Sequence, residues 1–214
     1  MDISRYIDHT LLKADATSGQ VEALCREALE HGFAAVCVNP VFVDLAAGLL
    51  RDSKVGVATV VGFPLGANTT SIKTREAWEA LRQGAGEIDM VMSLGLFKAG
   101  NLVAVQRDIS EVVTASEGKV VKVILETCYL SPDEIAAACK LAVDAGASYV
   151  KTSTGFGSRG ATVEDVKAMK AAVGERCLIK ASGGIKTREA ALSMIEAGAS
   201  RIGTSSGVAI VKGA

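Results

Sequence analysis

Two lysines stand inside apolar segments that are typical of buried strands: Lys151 in SYVKTST and Lys180 in CLIKASGG. Burial disfavours the ammonium form, and two ammonium groups that lie close together repel each other, so both effects lower the pKa of one lysine. A neutral lysine amine attacks a carbonyl carbon and forms a Schiff base. Asp89, in EIDMVMS, supplies a carboxylate of the kind that moves protons in such a reaction. These residue types predict carbon–carbon chemistry next to a carbonyl group.

Polar residues recur at a similar depth in a further apolar segment. Lys122 and Glu126 both lie in VVKVILET. A single lysine in a strand more often extends to solvent or pairs with a carboxylate at a sheet edge. Several buried charges, however, must lie together to satisfy one another. We therefore predict a polar site where the ends of these strands meet.

Three glycine-rich loops follow the late apolar segments: STGFG at 153–157, SGGIKT at 182–187 and GTSSG at 203–207. Glycine lets the backbone approach a ligand closely, and successive amide groups bind anions. In a barrel the last two loops follow the seventh and eighth strands, where barrels often hold phosphate. The loops therefore predict a phosphorylated substrate.

The segments that carry these residues are evenly spaced. Eight apolar runs alternate with helix-period segments about every 27 residues, which is the length of one βα unit. The predicted strands cover residues 7–12, 33–38, 55–62, 87–93, 120–127, 148–154, 177–184 and 201–207. This regular alternation favours an α/β fold, a (β/α)8 barrel, over an open doubly wound sheet. No G-x-G-x-x-G follows the first strand, which also weighs against a dinucleotide-binding sheet.

A second pattern recurs every two βα units. A glycine ends a helix at Gly32, Gly84, Gly146 and Gly198. Five residues later stands Cys37, Asp89, Lys151 or Gly203. Inward side chains of a closed barrel stack in layers taken from alternate strands, so a two-unit repeat supports closure.

Composition limits the class of protein further. The chain has 214 residues, of which 49% are hydrophobic and only 4% aromatic, so Val, Ile, Leu and Ala must fill the core, as in buried parallel strands. We expect one domain over residues 1–214. The formal net charge is −1 and no basic block occurs, so neither nucleic acid nor a membrane is the expected partner.

The remaining composition points to a cytoplasmic protein. The start, MDISRYIDHTLLKAD, lacks the apolar region of a signal peptide. Five cysteines without a C-x-x-C pair suit reduced thiols in a reducing compartment. Two histidines without metal-ligand spacing give no reason to expect a bound metal.

The motifs IDHTLLK, AVCVNP, VVGFPLG, EIDMV, VKVILET, VKTSTGF, IKASGGI and RIGTSS occur in this order over nearly the whole chain. At these residues the sequence resembles the deoxyribose-phosphate aldolases, which are class I aldolases. The resemblance implies a TIM barrel that cleaves 2-deoxy-D-ribose 5-phosphate to glyceraldehyde 3-phosphate and acetaldehyde in deoxyribose catabolism. It further implies that no cofactor is needed. For a barrel enzyme we also expect a homo-oligomer, a dimer or a tetramer.

The resemblance also implies a role for individual residues. Lys151 would form the Schiff base, and Lys180 would be the charged neighbour that favours its neutral form. Asp89 would shuttle protons, with Asp8 in the same relay. Substrate and phosphate would be bound by Thr152, Gly155, Gly183, Gly184, Gly203, Ser205 and Ser206.

The sequence departs from the family pattern at three points. Phe156 stands where some relatives have a phosphate-binding lysine, and Arg159 is either its substitute or a solvated loop residue. The chain ends at VKGA, without the tail tyrosine of longer relatives. Cys37 corresponds to a cysteine near the site in some relatives, and a buried core thiol is an equal interpretation.

Two other functions remain open at this stage. One is a phosphosugar isomerase or epimerase that uses Asp89 and a lysine as acid and base without a covalent intermediate. Such an enzyme needs a second carboxylate facing Asp89, for which Asp8 and Glu126 are the candidates. The other is a protein that binds a phosphorylated metabolite without catalysis.

Overall fold

Eight parallel strands close into a barrel in the computed structural model, which describes residues 2–213. The strands are β1 Ile7–Leu11, β2 Ala35–Val38, β3 Gly56–Val61, β4 Glu87–Val91, β5 Val120–Ile124, β6 Tyr149–Lys151, β7 Leu178–Ser182 and β8 Arg201–Thr204. Each strand pairs with the next in sequence, and β8 pairs with β1. The predicted (β/α)8 barrel is confirmed, and the open sheet is excluded. The predicted domain boundaries, residues 1 and 214, lie outside the described residues.

Helices connect the strands and cover the outside of the barrel. They are α1 Ser18–His31, α2 Val43–Leu50, α3 Thr70–Arg82, α4 Leu94–Lys98, α5 Leu102–Ala115, α6 Pro132–Asp144, α7 Val163–Val173, α8 Arg188–Glu196 and α9 Gly207–Lys212. Local sequence determines where several begin. Thr17 and Gln20 form a capping box at α1, and Ser131 and Glu134 form one at α6. Each box satisfies amide groups that have no partner within the helix.

The predicted glycine pattern agrees with the backbone. Gly32 ends α1 with a φ of 63°, and Gly146 follows α6 with a φ of 89°, both in the region that favours glycine. The predicted strands run somewhat too long at their carboxyl ends. The eighth, for example, leaves the sheet after Thr204, because the serine and glycine residues that follow form a bend and the start of α9.

The hydrophobic core lies mainly between the barrel and the helices. Its fully buried side chains include Ile7, Phe33, Ile88, Leu125 and Met169. Burial of each such side chain stabilises the fold by about 1.5–3 kcal/mol. A separate, much smaller apolar cluster consists of Leu12, Cys37, Ala58 and Val60, with Phe63 packed against it. Charged side chains take up much of the space next to this small cluster.

A buried ion pair fastens two helices to the end of β4. Lys73 of α3 and Asp108 of α5 are 2.6 Å apart, and both side chains are buried. The Lys73 ammonium also donates to the carbonyl of Val91 and to the hydroxyl of Ser93, each at 3.0 Å. The carboxyl end of the strand that carries Asp89 is thus held from outside the barrel. Within residues 2–213, no helix has the length and apolar character needed to cross a membrane.

Candidate active site

The barrel interior gathers the residues that the sequence analysis selected from separate strands. Asp8 lies on β1, Asp89 on β4, Lys151 on β6 and Lys180 on β7, and all four are at most 2% exposed. Inward-pointing residues of a barrel come from every strand, so their charged ends meet on the axis. The predicted cluster of Asp8, Asp89, Lys151 and Lys180 is therefore present as a single group of contacting side chains.

Asp89 is the centre of this group. Its Oδ2 atom lies 2.8 Å from Nζ of Lys151 and 2.8 Å from Nζ of Lys180, and its Oδ1 atom accepts from Lys122 at 2.7 Å. Burial by itself would raise the pKa of Asp89, but the charges of Lys122, Lys151 and Lys180 outweigh it. They hold the pKa of this carboxyl well below its usual range. Asp89 is therefore a carboxylate that bridges three amines.

Lys180 is held by two carboxylates. Its Nζ atom lies 2.5 Å from Oδ2 of Asp8 as well as 2.8 Å from Asp89. Burial would lower the pKa of Lys180, but Asp8 and Asp89 more than compensate and raise it. For Asp8, burial is likewise outweighed by Lys180, Arg201 and Lys122, which lower its pKa. Lys180 and Asp8 are thus both kept in their charged forms.

Two charged residues of this network were missed by the sequence analysis. Glu87 is the first residue of β4 and Arg201 the first of β8. Nη2 of Arg201 lies 3.0 Å from Glu87 and 2.5 Å from Asp8, while Lys122 lies 2.5 Å from Glu87. The signal was available, because each stands two residues before a position of the two-unit pattern, Asp89 or Gly203. Side chains two apart in a strand share a face.

A cavity of about 370 Å³ opens above this network at the carboxyl ends of the strands. Lys151 lines it, and so do the predicted residues Gly155, Gly183, Gly184, Gly203 and Ser205. Two predicted binding residues do not. The hydroxyl of Thr152 is buried and bonds to the backbone of Ser182, joining β6 to β7. Ser206 lies one residue beyond the lining, and its amide bonds to the Thr204 hydroxyl.

Gly203 has no side chain, and two other residues of the site occupy the space that a side chain would fill. A Cβ atom at this position would lie 2.9 Å from Cβ of Ser182 and 3.0 Å from Cε of Lys180. Since such contacts essentially do not occur, any side chain here would displace Lys180 or the end of β7. Glycine at the fourth position of the two-unit pattern therefore makes room for the lysine.

Two exposed lysines at the mouth of the cavity were also missed. Lys13 follows β1 and Lys186 lies in the loop after β7, and both belong to the cavity lining. They bring positive charge to the end of the cavity where the glycine loops lie. Neither stands in a strand, so the pattern of a lysine inside an apolar segment does not include them. Lys186 lies within the glycine-rich loop SGGIKT.

The loop after β6 is held by a buried carboxylate. Glu126 accepts from the backbone amide of Thr154 at 3.2 Å and from its hydroxyl. Glu126 itself is 3% exposed and has a left-handed backbone, with a φ of 55°. Its carboxylate thus binds the loop, so of the two carboxylates suggested by the sequence, Asp8 and not Glu126 shares a lysine with Asp89.

Phe156 and Arg159 occupy different places in this region. Phe156 lines the cavity, and its ring packs edge to face against that of Phe63, with the ring centroids 5.4 Å apart. Arg159 pairs with Asp165 and donates to the carbonyl of Thr127 at 3.2 Å. Arg159 lies outside the cavity lining, and its pairing with Asp165 means that it is not a free loop side chain.

Cys37 combines both interpretations that the sequence left open. Its thiol is fully buried in the small apolar cluster, beside the charged groups of Lys180, Asp89 and Lys151. Burial raises the pKa of the Cys37 thiol. Among the described residues, His, Cys, Asp and Glu form no group of three or more that could hold a metal ion. The arrangement offers a primary amine at a cavity wall, backed by a carboxylate that joins it to a second amine.

Comparison with known proteins agrees with this chemistry. The model of the DeoC/LacD family aldolases matches residues 3–213. A deoxyribose-phosphate aldolase from Natranaerobius thermophilus is 60% identical over 212 residues, covering 99% of this chain and 96% of that protein. A deoxyribose-phosphate aldolase from Carboxydothermus hydrogenoformans is 58% identical over 215 residues, covering 99% of this chain and 94% of the relative.

A solved structure extends the agreement to three dimensions. The tetrameric deoxyribose phosphate aldolase from Aeropyrum pernix superposes with a TM-score of 0.92 at 36% identity, covering 98% of this chain and 89% of that one. Sequence, fold and the arrangement of lysines around one aspartate agree in pointing to a single group of enzymes. The chain therefore belongs to the DeoC/LacD aldolase family and, within it, to the deoxyribose-phosphate aldolases, which are carbon–carbon lyases.

Proposed function

We propose that the chain cleaves 2-deoxy-D-ribose 5-phosphate reversibly to D-glyceraldehyde 3-phosphate and acetaldehyde through a Schiff base on Lys151. One observation carries the proposal. Lys151 is the lysine that both contacts Asp89 and lines the 370 Å³ cavity. Lys122 and Lys180 contact the same carboxylate but lie deeper, at 0% exposure, outside the cavity lining.

The bond changes follow from an amine in this position. The neutral Nζ atom of Lys151 adds to C1 of the open-chain sugar, and loss of water gives an iminium ion. The C3 hydroxyl then loses its proton, the C2–C3 bond breaks, and its electron pair moves into the iminium to give an enamine. Glyceraldehyde 3-phosphate leaves. Protonation at C2 and hydrolysis then release acetaldehyde and regenerate the amine.

Asp89 is proposed to move protons in these steps. Its Oδ2 atom contacts Lys151 and Lys180 equally, at 2.8 Å, so one oxygen joins the reacting amine to a neighbouring proton donor. Because its pKa lies well below the usual range, Asp89 holds a proton only briefly and returns it. Asp8 supports the same relay from the other side of Lys180, at 2.5 Å.

The phosphate is proposed to bind between the loops after β7 and β8. Gly183 and Gly184 offer backbone amides, Ser205 offers a hydroxyl, and the ammonium groups of Lys13 and Lys186 lie in the same lining. Positive groups and bare amides on one cavity wall attract a dianion. Gly155 and Gly203 allow the loops to approach the substrate, whereas Thr152 and Ser206 contribute through the backbone structure.

Borohydride trapping tests the proposal directly. Protein mixed with acetaldehyde or the sugar phosphate is reduced, digested and mapped by mass spectrometry, and the adduct is expected on Lys151. Lys140→Arg, at an exposed position of α6, serves as the matched control and should be trapped like the wild type. An isomerase or a simple binding protein would give no adduct. Turnover without an adduct would contradict the Schiff base.

Three wider properties are proposed on less direct grounds. The tetrameric relative from Aeropyrum pernix supports a homo-oligomer, either a dimer or a tetramer, which light scattering can measure. A cytoplasmic location and a role in deoxyribose catabolism agree with the free cysteines and with the proposed substrate. Residues 1–214 are proposed to form one domain, which a single cooperative unfolding transition would support.

A further inference from the structure

The charged network continues from the cavity to the opposite end of the barrel. β4 and β8 lie on opposite sides of the barrel, and the Arg201–Glu87 contact at 3.0 Å crosses the interior between them. The side chains of Arg201 and Glu87 are 12% and 15% exposed, whereas those of Asp8, Lys122, Asp89 and Lys180 are at 0%. The network therefore meets solvent at the amino-terminal ends of the strands, away from the cavity.

The charges along this network do not balance. Counted over residues 2–213, its ion contacts join the carboxylates of Asp8, Glu87 and Asp89 to four basic side chains, Lys122, Lys151, Lys180 and Arg201. One positive charge is in excess if all seven groups are ionised. A buried charge without a partner is costly, so one basic group is expected to give up its proton.

The contacts indicate which group this is. Lys122 contacts three carboxylates, and Lys180 and Arg201 contact two each. Among the described residues, Lys151 contacts a single carboxylate, Asp89, and shares that oxygen with Lys180. Lys151 also reaches the cavity, where the released proton can leave. The proton of Lys151 is thus held by the fewest partners.

We propose that Glu87 and Arg201, at the end of the barrel opposite the cavity, are positioning residues whose opposite charges act on the protonation of Lys151: Glu87 favours its ammonium form and Arg201 favours its neutral amine. The inference rests on the proposed role of Lys151 as the nucleophile. Glu87 contacts Lys122 at 2.5 Å, Lys122 contacts Asp89 at 2.7 Å, and Asp89 contacts Lys151 at 2.8 Å. Glu87 and Lys151 are therefore within about 10 Å of each other, close enough for a buried charge to act.

Within residues 2–213, the ionisable groups in ion contact with this network lie on the barrel strands, whereas Lys13 and Lys186 reach the same cavity as Lys151 from loops. Besides the seven groups counted above, Cys37 of β2 contributes a thiol whose pKa burial raises, and the ring of Tyr149 of β6 lies 5.9 Å from Lys122. The pKa values of Lys122 and Arg201 are raised, because nearby carboxylates outweigh their burial. Lys122, Lys180 and Arg201 each contact at least two carboxylates, so Lys151 is the basic group whose protonation we expect to respond to a change of charge at Glu87 or Arg201.

The test uses two variants: Glu87→Gln, which removes a negative charge, and Arg201→Gln, which removes a positive charge. The pH midpoint of borohydride trapping with acetaldehyde, and the acidic limb of the kcat/KM profile, are measured for each. Loss of the Glu87 charge should move both to lower pH, and loss of the Arg201 charge should move both to higher pH, each by roughly one pH unit. The double variant restores the balance and should return close to the wild-type midpoint.

The controls separate charge from structure. Glu87→Asp and Arg201→Lys keep the charges and should keep the midpoint. Partial unfolding lowers the amount of adduct without moving the pH midpoint of trapping. A midpoint measured for either single variant is therefore a sufficient test even if the other variant does not fold. Equal midpoints in wild type and variants, or shifts in one direction for both, would overturn this inference alone. A wild type that forms no adduct on Lys151 would overturn the proposed function and this inference with it.

Discussion

Lys151 and Lys180 are paired in register on neighbouring strands, and their Nζ atoms contact the same oxygen of Asp89 at 2.8 Å each. The single negative charge of Asp89 cannot fully compensate the positive charges of two protonated amines. Asp8 adds a second carboxylate to Lys180, so Lys180 retains its proton and Lys151 is left as the weaker partner. This asymmetry, and not the presence of two lysines alone, distinguishes the proposed nucleophile from its neighbour.

Replacement of Lys151 by arginine should abolish both turnover and trapping. Arginine stays protonated and cannot form an imine, although it preserves the positive charge. We expect kcat/KM below about a hundredth of the wild-type value, since covalent catalysis with an activated amine supplies at least that factor. Lys140→Arg should be unchanged. Residual activity above that level would remove Lys151 from the nucleophile role.

Replacement of Lys180 by leucine should move the acidic limb of the kcat/KM profile to higher pH. Without the Lys180 charge, Asp89 stabilises the ammonium form of Lys151 more strongly, so less free amine exists at neutral pH. A shift of one pH unit corresponds to about 1.4 kcal/mol. Trapping should survive at high pH, because the nucleophile remains.

Lys180→Arg is the control for this variant, since it keeps the charge and should leave the limb in place. The rival interpretation makes Lys180 a direct proton donor to the substrate. It predicts loss of activity at every pH without movement of the limb. Profiles that titrate together in wild type and Lys180→Leu would argue for that role.

Ser205→Asp should weaken binding of the phosphorylated sugar far more than binding of free deoxyribose. A carboxylate at the cavity lining repels the phosphate dianion, and we expect KM to rise at least about tenfold for the phosphate ester. Ser206→Asp provides a neighbouring control, because Ser206 is not part of the lining, and its effect should be smaller. Equal effects on both sugars would place the phosphate elsewhere.

Asp108→Ala should destabilise the fold strongly. It leaves the fully buried Lys73 ammonium without its carboxylate, and loss of one partner of a buried ion pair costs about 3–5 kcal/mol. The free energy of unfolding from denaturant titration measures the effect. Glu111→Ala breaks a largely exposed pair with Arg107 on the same helix, α5, and should change stability little. A comparable loss in both variants would show that helix content, not the buried pair, is responsible.

Local sequence was sufficient for the barrel and for selecting buried residues that meet in its interior. Strand alternation and helix-ending glycines are properties of neighbouring residues, and the two-unit pattern depends only on spacing along the chain. The placement of Asp89 and Lys151 on strands of the same parity could therefore be predicted from the sequence. The boundaries were less accurate: GTSSG was assigned to the eighth strand, which ends at Thr204. Backbone turns at serine and glycine depend on what the loop packs against.

Some assignments depended on which way a side chain points at the end of a strand. Thr152 follows Lys151 and therefore turns away from the cavity, to the backbone of Ser182. Glu126 turns to the loop at Thr154 and not to Asp89. Lys13 and Lys186, 173 positions apart in the chain, reach the same cavity. No local pattern distinguishes such orientations, because neighbouring strands and loops set them.

The sequence by itself determined the barrel and the strands that carry the buried lysines and Asp89. Only the tertiary structure decided the electrostatic balance around that lysine. Glu87 and Arg201 are 114 residues apart and lie on opposite strands, and they meet because barrel closure brings their side chains to the axis. Charge acts through distance in space, and the charged groups around Lys151 come together only when all eight strands are in place.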